Sequence, residues 1–146
     1  MKEYLDNCLQ KYFAEILNKQ KFRKSDSQIS GMGAFYEFKN KDLKFMIIND
    51  RGIIEVSLGS IYSKNLFDFG LVNSLFNEKF DLSNSNPKFG KNTLSKRLDL
   101  ETIEELFQRK YDDLKFAFNN DNYGNTEIEL SKLGNDRANL LFGKHT

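Results

Sequence analysis

Two stretches near the middle of the chain alternate between apolar and polar positions, and they set the first expectation for the fold. The apolar positions that share one face are Leu43, Phe45 and Ile47 in residues 43–48, and Ile54, Val56 and Leu58 in residues 53–58. A period of two residues is typical of a β-strand that turns one face towards a core. We therefore predict two antiparallel strands within a meander.

The tetrapeptide between these strands, Asn49-Asp50-Arg51-Gly52, has the composition of a hairpin connection. Asn49, Asp50 and Gly52 are turn formers, and Gly52 is able to adopt a positive φ. Arg51 is the only residue of the four that a turn does not require. We interpret Asp50 and Arg51 first as a solvated turn and second as a contact with a partner.

Upstream of the hairpin, the pattern predicts a polar connection followed by another strand. Residues 19–30 contain only Phe22 and Ile29 as large apolar residues, and we predict a connection with an edge strand there. The sequence "GMG" at 31–33 begins like a dinucleotide-binding fingerprint. It lacks the third glycine, however, and it leads into a strand rather than a helix. We interpret it as a flexible strand entry.

The first twenty residues carry pairs of apolar residues that recur every four positions. These pairs are Tyr4 and Leu5, Cys8 and Leu9, Tyr12 and Phe13, and Ile16 and Leu17. At about 100° per residue, the spacing predicts a helix whose apolar stripe covers more than half of its surface. Such a helix should pack against two neighbours, or against one neighbour and a partner. We expect Cys8 to be a small buried hydrophobe rather than a reactive thiol.

Residues 99–118 have the strongest helical pattern in the chain, and Asp99 can cap the helix. The apolar stripe consists of Ile103, Leu106, Phe107, Tyr111, Leu114, Ala117 and Phe118, and it contains one charged residue, Lys110. Phe116 falls roughly opposite this stripe, in acidic surroundings that are typical of an interface. We predict that a partner contacts Glu101, Glu105, Asp112 and Phe116. The alternative is that the last turn bends, or that the C-terminal segment covers this side.

The remaining segments leave alternatives open. Residues 61–80 fit a short helix entered near Asp68, with a strand at 65–69 as the alternative. Residues 82–96 predict a long loop that is either functional or a mobile connector. Residues 126–130 alternate like a strand, whereas the apolar residues after them suit a terminal helix. The whole pattern predicts one α+β domain over residues 1–146. Its antiparallel meander sheet of three to five strands is packed by the N-terminal helix and the long 99–118 helix.

Composition changes this picture mainly by exclusion. The 146 residues are 39% hydrophobic and 29% charged with 14 phenylalanines, which fits a globular protein with a phenylalanine-rich core. The formal net charge of +1 argues against a nucleic-acid partner. No apolar run approaches the ~18 residues of a membrane span. One cysteine and no signal-peptide pattern predict a cytoplasmic protein.

Candidate chemistry is scarce. His145 is the only histidine and Cys8 the only cysteine, so neither a tetrahedral zinc site nor a fixed catalytic triad is indicated. We predict no catalytic residues, no cofactor and no metal. A nucleic-acid stacking surface is an alternative that we disfavour, and its residues would be Tyr36, Phe38, Lys39, Lys41, Lys44 and Phe45.

The order of elements resembles small α+β immunity proteins of bacterial contact-dependent inhibition and polymorphic toxin systems. The resemblance rests on the N-terminal helix, the meander with its charged turn, the "FDFGLVNSLF" entry to a short helix, and the capped amphipathic helix. The Lys-, Asn- and Phe-rich composition also looks bacterial. The resemblance implies that the protein binds a cognate toxin domain and occludes its active site or substrate path. We expect a monomer or a weak dimer. The alternative function is a small-molecule-binding domain or a carboxylate-dependent enzyme.

Overall fold

The computed structural model of the chain describes residues 2–76 and 98–142. The helices are α1 (Lys2–Cys8), a π-helical turn (Leu9–Phe13), α2 (Ala14–Lys19), α3 (Phe69–Ser74), α4 (Leu100–Arg109), α5 (Tyr111–Ala117) and α6 (Tyr123–Phe142). The strands are β1 (Arg23–Ile29), β2 (Gly33–Lys39), β3 (Leu43–Asp50), β4 (Ile53–Ser60) and β5 (Phe67–Asp68). The predicted α+β class is confirmed. The loop predicted at 82–96 lies outside the described residues.

The five strands form one antiparallel sheet in the order β1-β2-β3-β4-β5. The predicted meander is therefore confirmed, with the largest of the predicted three to five strands. Strands β3 and β4 pair from Leu43 opposite Ser60 to Asp50 opposite Ile53. Their alternation is as expected: Leu43, Phe45, Ile47, Val56 and Leu58 are buried on one face, and Ile54 is half-buried there. Strand β1 is the predicted edge strand, and all seven of its residues are exposed.

The N-terminal helix packs against two neighbours, the sheet at β2 and β3 and helix α4. Four residues overshoot one α-helical turn by about 40°, so a strictly α-helical segment would rotate its apolar pairs away from the sheet. The π-helical turn at Leu9–Phe13 takes up this drift, since its hydrogen bonds span one more residue. Cys8 and Phe13, five residues apart, are therefore both buried. Burial also raises the pKa of the Cys8 thiol, which disfavours the reactive thiolate.

Phe45 lies at the centre of the core that the helices and the sheet enclose. Its ring stacks on Phe107 of helix α4 with centroids 5.5 Å apart and lies 5.2 Å from Phe13. Phe22 and Phe38 complete the surrounding ring contacts. Tyr36 is buried as well. The stacking surface that we disfavoured therefore lacks two of its aromatic rings, Tyr36 and Phe45, which face the core.

The helix predicted over residues 99–118 is present, but it is interrupted at Lys110, which has φ −103° and ψ 14°. Its inward stripe is buried at Ile103, Phe107, Tyr111, Leu114 and Phe118, as expected. The side-chain amine of Lys110 lies 5.3 Å from the ring centroid of Phe76. The predicted cap is confirmed, because Asp99 Oδ1 accepts a hydrogen bond from Thr102 N at 2.7 Å.

Two open alternatives are resolved by the structure. Residues 67–68 form strand β5, and Asp68 then caps helix α3 by accepting a hydrogen bond from Leu71 N, so both interpretations of this segment hold. Residues 126–130 lie within helix α6 and are not a strand. None of the helices in the described ranges is long and apolar enough to cross a membrane.

Candidate partner-binding surfaces

The acidic helix face, defined as Glu101, Glu105, Asp112 and Phe116, is exposed at all four positions. Glu101 and Glu105 lie on helix α4, whereas Asp112 and Phe116 lie on helix α5 beyond the interruption at Lys110. Phe116 is 68% exposed, more than any other aromatic residue in the described ranges. Ile128 of helix α6 is almost equally exposed, at 67%, so what distinguishes Phe116 is its aromatic ring, a side chain enriched among interface hot spots.

Hydrogen bonds hold the backbone around Phe116, although its side chain is largely exposed. The carbonyl oxygen of Phe116 accepts hydrogen bonds from Asn119 N at 3.4 Å and from Asn122 Nδ2 at 3.1 Å. Thr126 in helix α6 also donates to the carbonyl of Ala117, next in the chain. Helix α6 thus returns to the end of helix α5 without shielding the Phe116 ring. The ring therefore projects from the last turn of helix α5, where the backbone is held by these hydrogen bonds.

The charge of this region differs from that of the whole chain. Residues 99–118 contain six acidic and three basic residues, whereas the whole chain has a net charge of +1. One of the cations, Arg109, lies 3.8 Å from Glu105 in an exposed pair, so it compensates part of the negative charge on helix α4. Another, Lys110, is turned towards Phe76. The third, Lys115, is exposed next to Phe116 in the chain, so the surface is locally negative through the excess of acidic over basic residues in this segment.

A groove adjoins the acidic helix face where helix α4 meets the π-helical turn. It has a volume of about 550 Å³ and is lined by Gln10, Lys11, Tyr12, Ala14, Glu15, Glu101 and Glu104. Glu101 thus lies on both the exposed face and the groove wall. Within residues 2–76 and 98–142, no group of three His, Cys, Asp or Glu side chains has the geometry to hold a metal ion.

Asp50 and Arg51 lie at the β3–β4 connection. Arg51 has φ +55° and Gly52 has φ +91°, so the two-residue turn has positive φ at both central positions, the arrangement of a type I′ hairpin. Our expectation for Gly52 is confirmed. Asn49 is buried, and its Oδ1 accepts a hydrogen bond from Gly52 N at 2.8 Å. The left-handed backbone costs a residue with a β-carbon about 1–2 kcal/mol.

The structure does not bring the six predicted contact residues together. Helix α5 is anchored at one end of the sheet, because Asn40 of the β2–β3 turn donates to the Tyr111 hydroxyl at 2.7 Å and Ser60 at the end of β4 donates to the Phe118 carbonyl. The turn with Asp50 and Arg51 closes the opposite end of β3 and β4. An eight-residue strand spans about 24 Å. The chain therefore presents two separate surfaces.

The second surface contains apolar residues that the pattern analysis missed. The hairpin-tip surface, as we define it, comprises Met32, Phe35, Ile48, Asp50, Arg51 and Ile53. Phe35, Ile48, Asp50 and Ile53 point to the face of the sheet opposite the core, because their neighbours Ala34, Asn49 and Ile54 face inward. Met32 is 59% and Ile53 48% exposed. The adjacent isoleucines Ile53 and Ile54 could have indicated this surface, because side chains alternate along a strand and only one of the two can face the core.

Lys44 lies on the same outer side of the sheet, but it is not available to a partner. It is buried, and its amine donates a hydrogen bond to the Ser63 carbonyl. Burial lowers the pKa of this amine, with smaller opposing influences that include the nearby carboxylates of Glu37 and Glu127. A covered cation of this kind has a structural role, and it is removed from any basic surface.

No protein-family model matches the chain, and comparisons with curated proteins and with solved structures found no significant similarity.

Proposed function

We propose that this protein is a stoichiometric binding protein, an immunity protein that neutralises a cognate bacterial toxin domain without catalysing a reaction. The observation that carries the proposal is Phe116, a 68% exposed aromatic ring in a locally acidic surface, on backbone that Asn122 holds by a hydrogen bond. Aromatic residues dominate the binding energy of protein interfaces, and surrounding charges steer the encounter. The partner surface is therefore basic around an apolar pocket.

The proposed mode of action is occlusion. A toxin that acts on an anionic substrate needs a cationic site, and an acidic face with a central aromatic anchor would cover such a site. Salt should slow association, because steering between exposed charges is screened over about 10 Å at ordinary ionic strength. The dissociation rate should depend mainly on the Phe116 ring.

The direct test is calorimetric titration against any toxin-like domain found to be encoded beside the gene. Phe116→Ala should weaken binding by about thirtyfold or more, the effect of an interface hot spot of about 2 kcal/mol. The matched control is Ile128→Ala, since Ile128 is an equally exposed apolar residue, at 67%, on helix α6. In stopped-flow mixing, Glu105→Gln and Asp112→Asn should lower the association rate, while Glu3→Gln on helix α1 should not.

The proposal fails if all variants of the acidic helix face bind the toxin domain with wild-type affinity. It also fails if no neighbouring toxin-like domain binds at all. Circular dichroism of the free variants separates these outcomes from misfolding, because exposed positions tolerate substitution with changes of about 0.5 kcal/mol or less.

The alternative is a small-molecule-binding domain, and the groove between helix α4 and the π-helical turn favours it. The carboxylates of Glu15, Glu101 and Glu104 line this groove with one cation, Lys11, and this acidic excess suits a cationic ligand. A thermal-shift screen of metals and metabolites tests the idea, because a ligand that binds the native state raises the unfolding temperature with concentration. Loss of the shift in Glu104→Gln would assign the ligand to the groove, and a flat screen would reject it.

A further inference from the structure

The hairpin-tip surface combines exposed apolar side chains with a hollow on the outer face of the sheet. Phe35 of β2 lies opposite Ile48 of β3, and Ile53 of β4 lies opposite Asp50. Met32, in the β1–β2 turn, extends the apolar area beyond the sheet. The hollow has a volume of about 380 Å³, and residues of both hairpins line it. Apolar area of this kind is typical of an interaction site.

The tip is pre-organised, which lowers the entropy lost on binding. Arg51 N donates a hydrogen bond to the Met32 carbonyl at 3.1 Å and so joins the two turns. Ser30 Oγ holds the β1–β2 turn by accepting from Gly33 N at 3.2 Å. Gly33 approaches β3 so closely that an added β-carbon would lie 2.6 Å from the Asn49 carbonyl oxygen.

Two charges of opposite sign lie side by side at the hairpin tip. Asp50 and Arg51 are adjacent, opposite in sign and exposed over 67% and 72% of their side chains. Arg51 Nε lies 3.9 Å from Asp50 Oδ1, a loose pair that leaves both groups free to pair elsewhere. Glu55 also lines the hollow, and the adjacent pair of Asp50 and Arg51 is the part of the surface whose charges match those of its own copy after a twofold rotation.

We propose that the hairpin-tip surface binds a second copy of this chain in a symmetric dimer. In a twofold interface, each residue meets the counterpart of its contact on the other copy. When the twofold axis passes between residues 50 and 51, each Arg51 faces Asp50 of the partner subunit, and the interface contains two such pairs. Met32 and Ile53 then bury against the apolar hollow of the other copy. This surface lies at the end of the sheet away from helix α5, so the dimer leaves Phe116 open to a different partner.

Charge reversal distinguishes a second copy from any other occupant. Arg51→Glu places two acidic residues against each other across the axis and should weaken dimerisation at least about tenfold; Asp50→Arg should do the same with two basic residues. In the double variant Asp50→Arg/Arg51→Glu the two positions exchange sign, so the attraction across the axis returns. A different protein with a fixed charge pattern would still be repelled by the double variant.

Sedimentation velocity over a series of protein concentrations provides the measurement. The wild type should show a reversible monomer–dimer equilibrium, Met32→Asp should be monomeric, and Phe116→Ala should dimerise like the wild type. A monomeric wild type at every concentration overturns the proposal. So does a double variant that is no better than either single variant, or a dimer that Phe116→Ala abolishes. Circular dichroism confirms that each variant is folded before its mass is interpreted.

Discussion

Asp68, at the start of helix α3, and Arg137, in helix α6, form an ion pair with 2.7 Å between Oδ2 and Nη2. The other carboxylate oxygen of Asp68 accepts a hydrogen bond from Leu71 N at 2.9 Å and so caps helix α3. One side chain therefore holds two helices. Helix α6 follows the β5 side of the sheet from Glu127, which accepts a hydrogen bond from Asn65, to Arg137.

Substitutions at Asp68 should separate its two roles. Asp68→Asn keeps a capping oxygen but loses the ion pair, so it should lower the free energy of unfolding by less than about 1 kcal/mol, like Arg137→Gln. Asp68→Ala loses the cap as well and should cost about 1 kcal/mol more. Urea denaturation measures all three. Equal stability of the Asn and Ala variants would show that the cap contributes nothing.

In residues 2–76 and 98–142, two residues with β-carbons, Lys21 and Arg51, adopt left-handed backbone, and relieving either should stabilise the protein. Lys21 has φ +59°, directly after helix α2, where Phe22 N bonds to the Leu17 carbonyl and Lys21 N to that of Asn18. This is a Schellman ending, which favours glycine. Lys21→Gly and Arg51→Asn should each raise the free energy of unfolding by about 1 kcal/mol.

The two substitutions should differ in their effect on self-association. Lys21→Gly leaves the hairpin-tip surface intact and should not change dimerisation, whereas Arg51→Asn removes a charge from the proposed axis and should weaken it. Denaturant titration and sedimentation of the same samples give both readouts. If Arg51→Asn left the free energy of unfolding unchanged, the left-handed turn would carry no strain.

Sequence pattern identified the elements whose apolar period is undisturbed. Leu43, Phe45 and Ile47 face the core because strand side chains alternate, and no distant residue changes that geometry. Asp99 caps helix α4 because capping is local as well. Such features depend only on near neighbours in the chain, so the sheet and the capped helix followed from the sequence.

Features that depend on contacts between distant residues did not follow from the sequence. The interruption at Lys110 accompanies a contact with Phe76, which no local rule specifies. Residues 126–130 look like a strand because polar and apolar side chains alternate. In helix α6, however, Thr126 and Leu130, four residues apart, point inward, while Ile128 between them is exposed. The separation of Asp50 and Arg51 from Phe116 likewise required the sheet in three dimensions.

Alkaline pH should reveal the contribution of Tyr36 to stability. Its hydroxyl donates to Asp6 Oδ1 at 2.7 Å, and burial, together with that carboxylate, raises the pKa of Tyr36 to about 12. The folded state then keeps the proton that the unfolded chain releases near pH 10. The stabilisation is fully present below pH 10 and is lost as the pH rises towards about 12.

The Tyr36→Phe variant isolates this effect from other titrating groups. It removes the hydroxyl but keeps the ring, so the stability difference between wild type and variant should shrink across that pH interval. Urea unfolding at a series of pH values provides the difference. A difference that stays constant from neutral pH to about pH 12 would mean that Tyr36 ionises equally in both states.

Gly33 and Gly31 offer a matched pair for testing the packing of the hairpin tip. A β-carbon on Gly33 would lie 2.6 Å from the Asn49 carbonyl oxygen, whereas one on Gly31 would meet nothing within 4 Å. Strand β2 begins at Gly33, as the strand entry predicted for this segment requires, and the glycine there permits close contact between β2 and β3. Gly33→Ala should lower the free energy of unfolding by about 1–3 kcal/mol, because the backbone of β2 or β3 must move to make room for the methyl group. Gly31→Ala should be neutral or stabilise by up to about 1 kcal/mol through the unfolded state. Chemical denaturation of both variants measures these changes, and equal stability of the two would show that β2 and β3 can separate at this point without loss.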